Sequence, residues 1–173
     1  MNKLIRLVEG QARIVADDPW TLWREPGDET AGGPLILPLE LWRERQDAAV
    51  LAGAAPSRDA LLLQPDDEPE ALQALLASLP LLAIDFPSLR DGRGYSQAYL
   101  LRTRLGWLGE LRAVGEVLRD QLAHMRQCGF DAFAVRGDKS PDDALKGLAG
   151  LSVLYGRSAI EPRPLFRRGR GEG

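Results

Sequence analysis

The sequence predicts a single α/β domain whose mostly parallel sheet is built from about five βα units and is preceded by a small N-terminal β-hairpin. Short apolar runs alternate along the chain with longer amphipathic segments, which is typical of strands joined by crossover helices. With 173 residues, of which 45% are hydrophobic, the chain is long enough for one domain with a substantial core and too short to expect two.

The expected domain organisation has three parts. Residues 1–34 are expected to form the hairpin or an extension, with Ala12 to Val15 and Thr21 to Trp23 as its two strands. Residues 35–157 are expected to form the α/β core. Residues 158–173 are expected to form a flexible tail, because four arginines lie there among glycines and prolines.

The five units follow one another from residue 35. Their strands are predicted at 35–39, 60–63, 81–86, 110–114 and 131–135, and their helices at 40–49, 66–79, from about 95, at 117–127 and from Ser140-Pro-Asp-Asp143. The periodicity alone leaves open whether the sheet is an open doubly wound one or a half-barrel of TIM type, and five units favour the open sheet. In either case right-handed crossovers place every βα loop at one edge of the sheet.

The predicted site is the strand-to-helix loop Asp85-Phe-Pro-Ser-Leu-Arg-Asp-Gly-Arg-Gly-Tyr-Ser96. Gly92 and Gly94 allow a sharp turn that exposes N–H groups, and Arg90 and Arg93 add positive charge at a helix N-terminus that already favours anions. We therefore expect a small anionic ligand, an oxyanion, at this loop. The alternative is a tight turn whose Arg and Asp side chains pair with one another and cap the helix.

Three further residues complete the predicted site. Asp85 ends a strand and is expected to pair with Arg93 or Arg112. Gln121 lies within the apolar face of a helix and is expected to bond the glycine loop, while Arg136 follows the fifth strand at the same edge. The predicted ligand-binding residues are Asp85, Arg90, Asp91, Gly92, Arg93, Gly94, Tyr95, Ser96, Gln121 and Arg136. No catalytic residue and no metal ligand is predicted.

Composition argues against several classes of protein. A net charge of −3, from 22 basic and 25 acidic residues, does not favour a nucleic-acid binder. The chain shows no apolar run typical of a secretory signal or a membrane span, so we expect a cytoplasmic protein without a membrane partner. The single cysteine, Cys128, excludes an internal disulfide and an iron–sulfur cluster held by this chain alone, and it is expected to be an inert core thiol.

Several segments together resemble a bacterial family. They are Asp85-Phe-Pro, Asp91-Gly-Arg-Gly-Tyr-Ser96, Leu100-Leu-Arg102, Gly109-Glu-Leu-Arg-Ala-Val-Gly115, Val117-Leu-Arg-Asp-Gln121 and Gly129-Phe-Asp-Ala-Phe133. In this order and density they resemble the family called domain of unknown function 934. The resemblance implies an oxidoreductase or an accessory factor of assimilatory sulfite reduction, because genes of the family lie beside those for sulfite reductase. It carries no established catalytic residues.

Three functional hypotheses follow. By resemblance, the protein is an accessory subunit that docks on a cytoplasmic sulfite reductase. By the charge at the loop, it is a small-ligand enzyme or sensor, with a flavin-dependent oxidoreductase included because flavin sites often lack a local motif. If it is neither an accessory subunit nor a small-ligand protein, it is a structural α/β protein. The chain lacks a Rossmann fingerprint, a Cys-x-x-Cys pair and a phosphate-binding P-loop, so no cofactor is evident from the sequence.

Overall fold

Eight strands form one mixed sheet in the computed structural model, which describes residues 3–28, 32–136 and 140–149. The strands are β1 (Lys3–Val8), β2 (Gln11–Val15), β3 (Thr21–Leu22), β4 (Leu35–Pro38), β5 (Ala60–Leu63), β6 (Leu81–Phe86), β7 (Glu110–Gly115) and β8 (Ala132–Val135). Their order across the sheet is β2-β1-β8-β7-β6-β5-β4-β3. Strands β3 to β8 run parallel, whereas β1 is antiparallel to both β2 and β8.

Four α-helices are present in the described residues. They are α1 (Leu39–Leu51), α2 (Arg93–Thr103), α3 (Leu122–Cys128) and α4 (Pro141–Ala149). Short 3₁₀ turns occupy Pro69–Leu72, Leu76–Ser78 and Arg119–Gln121. Helix α3 ends at Gly129, whose φ of 113° is the left-handed conformation that closes many helices. Helix α4 begins at Pro141 directly after Ser140, as the sequence predicted. No helix in the described part of the chain is long and apolar enough to cross a membrane.

The predicted fold class of five βα units is wrong. The segment between β5 and β6 forms two 3₁₀ turns where a helix was expected, because tight turns bury Leu72, Leu76 and Leu79 as well as an α-helix would. The sheet also gains antiparallel strands at one end. Because the parallel strands follow one another across the sheet without reversal, the fold is α/β but has no doubly wound switch point.

The predicted N-terminal hairpin is wrong in its strands. The hairpin that forms joins β1 to β2 through Glu9 and Gly10, both of which have positive φ. Thr21 and Leu22 instead form β3, which pairs with β4 at the opposite end of the sheet. The strand at Lys3–Val8 was not predicted, and it pairs both with β2 and with β8, which lies more than a hundred residues away in the chain.

The connection from β2 to β3 requires the sheet to curl into a half-barrel. These strands are the two outer edges of the sheet, yet only residues 16–20 join them. Five residues reach at most about 20 Å. The edges of a flat sheet of this size would lie about 34 Å apart, because neighbouring strands are about 4.8 Å apart.

Residues 16–28, which we name the strap, comprise the link from β2, the edge strand β3 and the residues after it, and they place side chains on the inner face of this half-barrel. The α-helices pack on the outer face, where most of the apolar core lies. On the inner face Trp20 and Leu22 of the strap pack against a smaller cluster that includes Ile36, Leu62 and Val114. A small cavity of about 30 Å³ lies between the strap and the middle of the sheet, lined by Asp18, Trp20 and Leu22 on the strap side.

The amino ends of the strands are held by an arginine on α2. Arg102 donates hydrogen bonds to the carbonyl oxygens of Trp107 and Gly109, each at 2.8 Å, and to that of Gly129 at 2.9 Å. Burial lowers the pKa of Arg102, partly offset by the neighbouring carboxylate of Asp131. The guanidinium therefore ties the end of α2 to the chain entering β7 and β8.

The predicted tail, residues 158–173, lies outside the described residues, as do residues 150–157 of the predicted core. The division into an N-terminal part, a core and a tail therefore stays a prediction. The described strands of residues 3–28 belong to the same sheet as those that follow.

Candidate functional site

The carboxyl ends of the parallel strands bring together charges from distant parts of the chain. Because β3 runs parallel to β4, Arg24 emerges at the same edge as the end of β6. Its Nη1 and Nη2 atoms donate hydrogen bonds to the two carboxylate oxygens of Asp85 at 2.8 and 2.7 Å. Asp85 is only 6% exposed, and the hydrogen bonds that it accepts from Arg24, together with its negative charge, raise the pKa of Arg24. This planar two-bond pair anchors the strap to the sheet.

The turn after β7 depends on a glycine. Gly115 has a φ of +92°, and a Cβ atom there would lie 2.5 Å from the carbonyl oxygen of Phe86 and 2.8 Å from Oδ1 of Asp85. The next residue, Glu116, donates its backbone N–H to the Phe86 carbonyl at 2.7 Å. Glycine at this position therefore lets the backbone approach Asp85 and turns Glu116 toward the edge of the sheet.

Arg136 follows β8 and completes this edge. Its Nη1 atom donates to Oε2 of Glu116 at 2.7 Å, across the ends of two adjacent strands. An open cleft of about 290 Å³ lies between the strap and these strands. We name it the carboxyl-end cleft, and it is lined by Leu22, Arg24, Val114, Gly115, Ala134, Val135 and Arg136.

The carboxyl-end cleft is lined by two arginines whose positive charges are balanced by carboxylate partners. The side chains of Arg24 and Arg136 are 44% and 38% exposed, so each guanidinium is partly open to solvent while its carboxylate partner holds it in place. A guanidinium has five N–H donors, and the bond pair with Asp85 uses two of those of Arg24. In the parts of the chain that the structure describes, no cluster of three or more His, Cys, Asp or Glu residues is arranged to hold a metal ion.

The predicted anion loop adopts the geometry of a self-paired helix start. Arg93 bonds both carboxylate oxygens of Asp91, at 3.0 and 2.8 Å, and also reaches Asp66 at 2.5 Å. The backbone N–H of Arg93 donates to Oδ1 of Asp91, and that of Arg90 donates to the Ser88 hydroxyl. An anion at Arg93 would have to displace these carboxylates. Its binding here stays a prediction, and Arg90 and Ser96 are exposed.

The two glycines of this loop have different roles. Gly92 has a φ of −89° and open space around it, so nothing in the fold requires glycine there. A Cβ at Gly94 would lie 2.7 Å from the ring of Phe86 and 3.0 Å from Ile84, so this glycine lets α2 approach β6 closely. Gly94 thus serves the packing of helix on strand.

Tyr95 belongs to an aromatic cluster between α2 and α3. Its ring centroid lies 5.1 Å from that of Phe86 and 4.6 Å from that of His124. Burial raises the pKa of Tyr95 and raises that of the Cys128 thiol to about 11. Cys128 is half-buried and stays protonated at neutral pH, so an unreactive thiol is expected there.

Gln121 ends the 3₁₀ turn before α3. It is half-buried, and its Oε1 atom is enclosed with no hydrogen-bond partner within the described residues. The expected bond to the glycine loop is not among its contacts, and α3 begins only at Leu122.

Of the predicted site residues, Arg136 lines the carboxyl-end cleft, and Asp85 bonds Arg24, which also lines it. The loop from Arg90 to Ser96 lies at the start of α2, and Asp85 pairs with Arg24 in place of the expected Arg93 or Arg112. Sequence reasoning missed Arg24. The signal that could have found it is the alternation Trp20, Leu22, Arg24, which places all three side chains on one face of an extended segment.

Comparison with known proteins gives one match. The model of the family described as bacterial protein of unknown function (DUF934) matches residues 60–166, which is more than half of the chain. The chain belongs to this family. The matched region contains Asp85, Gly115 and Arg136, whereas Arg24 lies before it. No curated protein and no solved structure matches the chain.

Proposed function

We propose that the protein binds a small sulfur oxyanion, sulfite or sulfate, in the carboxyl-end cleft and acts as a cytoplasmic accessory factor of sulfite reductase. The observation that carries the first part is the pair of half-exposed guanidinium groups, Arg24 and Arg136, on either side of a small cleft at the carboxyl ends of parallel strands. The second part rests on the resemblance to the family.

The location supports a ligand site. In half-barrel and barrel folds of parallel strands, ligands bind at the carboxyl ends, because the loops there can vary without disturbing the sheet. The cleft is close to the lower end of the usual range of ligand pockets, about 300–1,000 Å³, so it suits a small molecule. Guanidinium groups bind sulfur and phosphorus oxyanions through two parallel N–H bonds.

The existing ion pairs set how such a ligand would bind. An oxyanion between Arg24 and Arg136 would use N–H donors that Asp85 does not occupy and would compete with Glu116 for Arg136. Because the carboxylates already neutralise part of the positive charge, we expect an affinity near the millimolar to micromolar range, about 4–8 kcal/mol. Such a site would release its ligand readily, as a carrier or sensor must.

Isothermal titration calorimetry with sodium sulfite, sulfate and phosphate tests the ligand. Arg136→Gln should weaken sulfite binding about tenfold or more, the loss expected for a charge-assisted bond pair. The matched control is Arg119→Gln, which removes a partly exposed arginine that also bonds a carboxylate, that of Asp143, at 3.0 Å. The Arg119→Gln variant should bind sulfite as tightly as the wild-type protein does.

The same titration separates the cleft from the loop. Arg93→Gln should leave sulfite binding unchanged if the cleft is the site. If Arg93→Gln abolishes binding while Arg136→Gln does not, the anion belongs to the loop after β6 and the cleft assignment is wrong. If none of the three anions binds the unchanged protein, the oxyanion part of the proposal fails.

Growth of a deletion strain tests the biological role. Loss of the protein should impair growth on sulfate or sulfite and spare growth on cysteine. A gene that encodes the Arg136→Gln variant should fail to restore growth of the deletion strain on sulfate, whereas a gene that encodes the Arg119→Gln variant should restore it. Normal growth of the deletion strain on sulfate, with no second copy in the genome, would overturn the sulfur role. A purified protein with the absorbance of a flavin would favour the enzyme hypothesis instead.

A further inference from the structure

The layer of helices on the outer face of the sheet has a gap. Helices α1 and α2 cover the strands on either side of it with 13 and 11 residues. Between β5 and β6 the chain forms only the single turns Pro69–Leu72 and Leu76–Ser78. As a result an open groove of about 630 Å³ lies between α1 and these turns.

The uncharged polar side chains that line this groove are already paired within the protein. The side-chain amide of Gln46 exchanges two hydrogen bonds with the backbone of Ser57, at 3.0 and 3.1 Å. The indole N–H of Trp42 donates to the Asp59 carbonyl, and the hydroxyl of Ser78 donates to the Leu75 carbonyl. These residues therefore offer mainly apolar surface to a bound molecule. A polar metabolite would fit poorly here, because it needs free hydrogen-bond donors and acceptors to fix its orientation.

The groove continues along α1 into exposed apolar side chains. Val50 and Leu51 are 70% and 89% exposed. They lie seven and eight residues after Arg43, so they share the helix face of Arg43, Gln46 and Asp47, which line the groove. Only Trp42 of the helix is fully buried. The apolar surface is thus elongated, as the face of a helical partner requires.

The surroundings of the groove are acidic. The segment leading into its wall carries Asp66, Asp67, Glu68 and Glu70 and no basic residue, and of these Asp66 is paired with Arg93 of α2. Across the groove Asp47 is also exposed, and Arg43 is the one basic residue among the residues that line it. A partner that fits should therefore be positively charged beside its apolar stripe.

We propose that this groove binds an amphipathic α-helix of a partner protein, with apolar residues at i, i+3 or i+4 and i+7 and with Lys or Arg on its flanks. The bound helix would fill the gap in the outer layer of helices, where the chain between β5 and β6 forms only two 3₁₀ turns. The apolar stripe would cover Trp42, Leu75 and Val50, and the basic flanks would face the acidic segment before Ala71. This surface is separate from the carboxyl-end cleft, and its role does not rest on the oxyanion proposal.

Fluorescence anisotropy with the full-length protein tests the groove. The probe is a fluorescein-labelled peptide of about two heptads, with Leu at the a and d positions and Lys at the others. Ala74→Arg places a large cation on the exposed wall of the groove, and its matched control, Leu108→Arg, adds the same charge at a residue that is 94% exposed elsewhere. We expect Ala74→Arg to weaken binding about tenfold and Leu108→Arg to leave it unchanged.

Two control peptides test which features are recognised. A peptide of the same composition with its leucines spread around the helix, and one with Glu in place of Lys, should each bind about tenfold more weakly. Equal binding of either peptide, or equal affinity of the Ala74→Arg and Leu108→Arg proteins, would overturn the proposal. If Ala74→Arg fails to fold by circular dichroism, the exposed Ser78→Arg replaces it as the blocking variant.

Crosslinking in cells identifies the natural occupant. A photoreactive phenylalanine analogue at Ala74 should crosslink to a basic, amphipathic segment of another protein, and a synthetic peptide of that segment should bind the purified protein in an Ala74-dependent manner. The analogue at Leu108 is the control. A crosslink from position 74 to a second copy of this chain, or to residues 150–173 of the same chain, would overturn the proposal, as would the absence of any crosslink.

Discussion

Two arginine–aspartate pairs connect the strap to the inner face of the sheet, and they differ in how far they are closed to solvent. Toward the amino ends of the strands, Arg112 is 3% exposed and bonds both oxygens of Asp18, at 2.7 and 3.0 Å. Glu110 accepts a further bond from it, and Arg6 in turn reaches Glu110. At the carboxyl ends, Arg24 bonds Asp85 in the same two-bond geometry but is 44% exposed.

The difference indicates which end of the half-barrel is structural and which is available for binding. A guanidinium that is enclosed among two carboxylates has no room for another anion and contributes to the fold. A half-exposed guanidinium beside an open cleft keeps N–H donors for a ligand. The same side-chain chemistry is therefore closed to solvent at one end and open to it at the other, and the open end is where we propose that an oxyanion binds.

Arg112→Ala should have the largest effect on stability. It leaves Asp18 and Glu110 without their buried partner, which typically costs about 3–5 kcal/mol. Urea unfolding followed by circular dichroism measures the loss. The double variant Asp18→Leu with Arg112→Met, which replaces the pair by apolar side chains, should recover much of it. A loss below about 1 kcal/mol would show that Arg112 is not held as the structure describes.

Gly115→Ala should have the next largest effect. A side chain at a φ of +92° is strained, which costs about 1–3 kcal/mol, and the new methyl group would overlap the Phe86 carbonyl and Asp85. The matched control is Gly92→Ala, where φ is −89° and no atom lies within 4 Å. The control should change the free energy of unfolding by less than about 0.5 kcal/mol. Equal losses in the two variants would contradict the described turn.

Asp85→Ala should cost less than Arg112→Ala although it breaks the same kind of pair. The expected loss is about 1–3 kcal/mol, because the freed Arg24 can turn into solvent and regain its hydration. The strap should also loosen, which faster hydrogen exchange of the β3 amides would report. If Asp85→Ala is as destabilising as Arg112→Ala, the comparison between the two ends fails.

The double variant Arg90→Gln with Arg93→Gln should have the smallest effect. Arg90 and Arg93 are exposed, and surface ion pairs such as that between Arg93 and Asp91 contribute at most about 1 kcal/mol. The melting temperature should therefore stay within a few degrees of that of the unchanged protein. A large fall in the melting temperature would mean that this loop stabilises the fold.

The predicted positions of the parallel strands were close to those observed because each is a short apolar run between polar segments. The strand at 60–63 and the strand at 81–86 coincide with β5 and β6. The helix after β5 was predicted wrongly because leucines at helical spacing can also be buried by two 3₁₀ turns. Pro69 lies within the predicted helix, and Pro65 and Pro80 flank it.

By itself the sequence predicted the positions of the parallel strands β4 to β8, the start of α4 at Pro141 and the family to which the chain belongs. Only the tertiary structure decided the partners. Arg24 meets Asp85 across 61 residues of chain and Arg112 meets Asp18 across 94, because the short link between β2 and β3 curls the sheet and lays the strap over its inner face. Periodicity records which face a residue occupies, but it contains no information about which distant segment will cover that face.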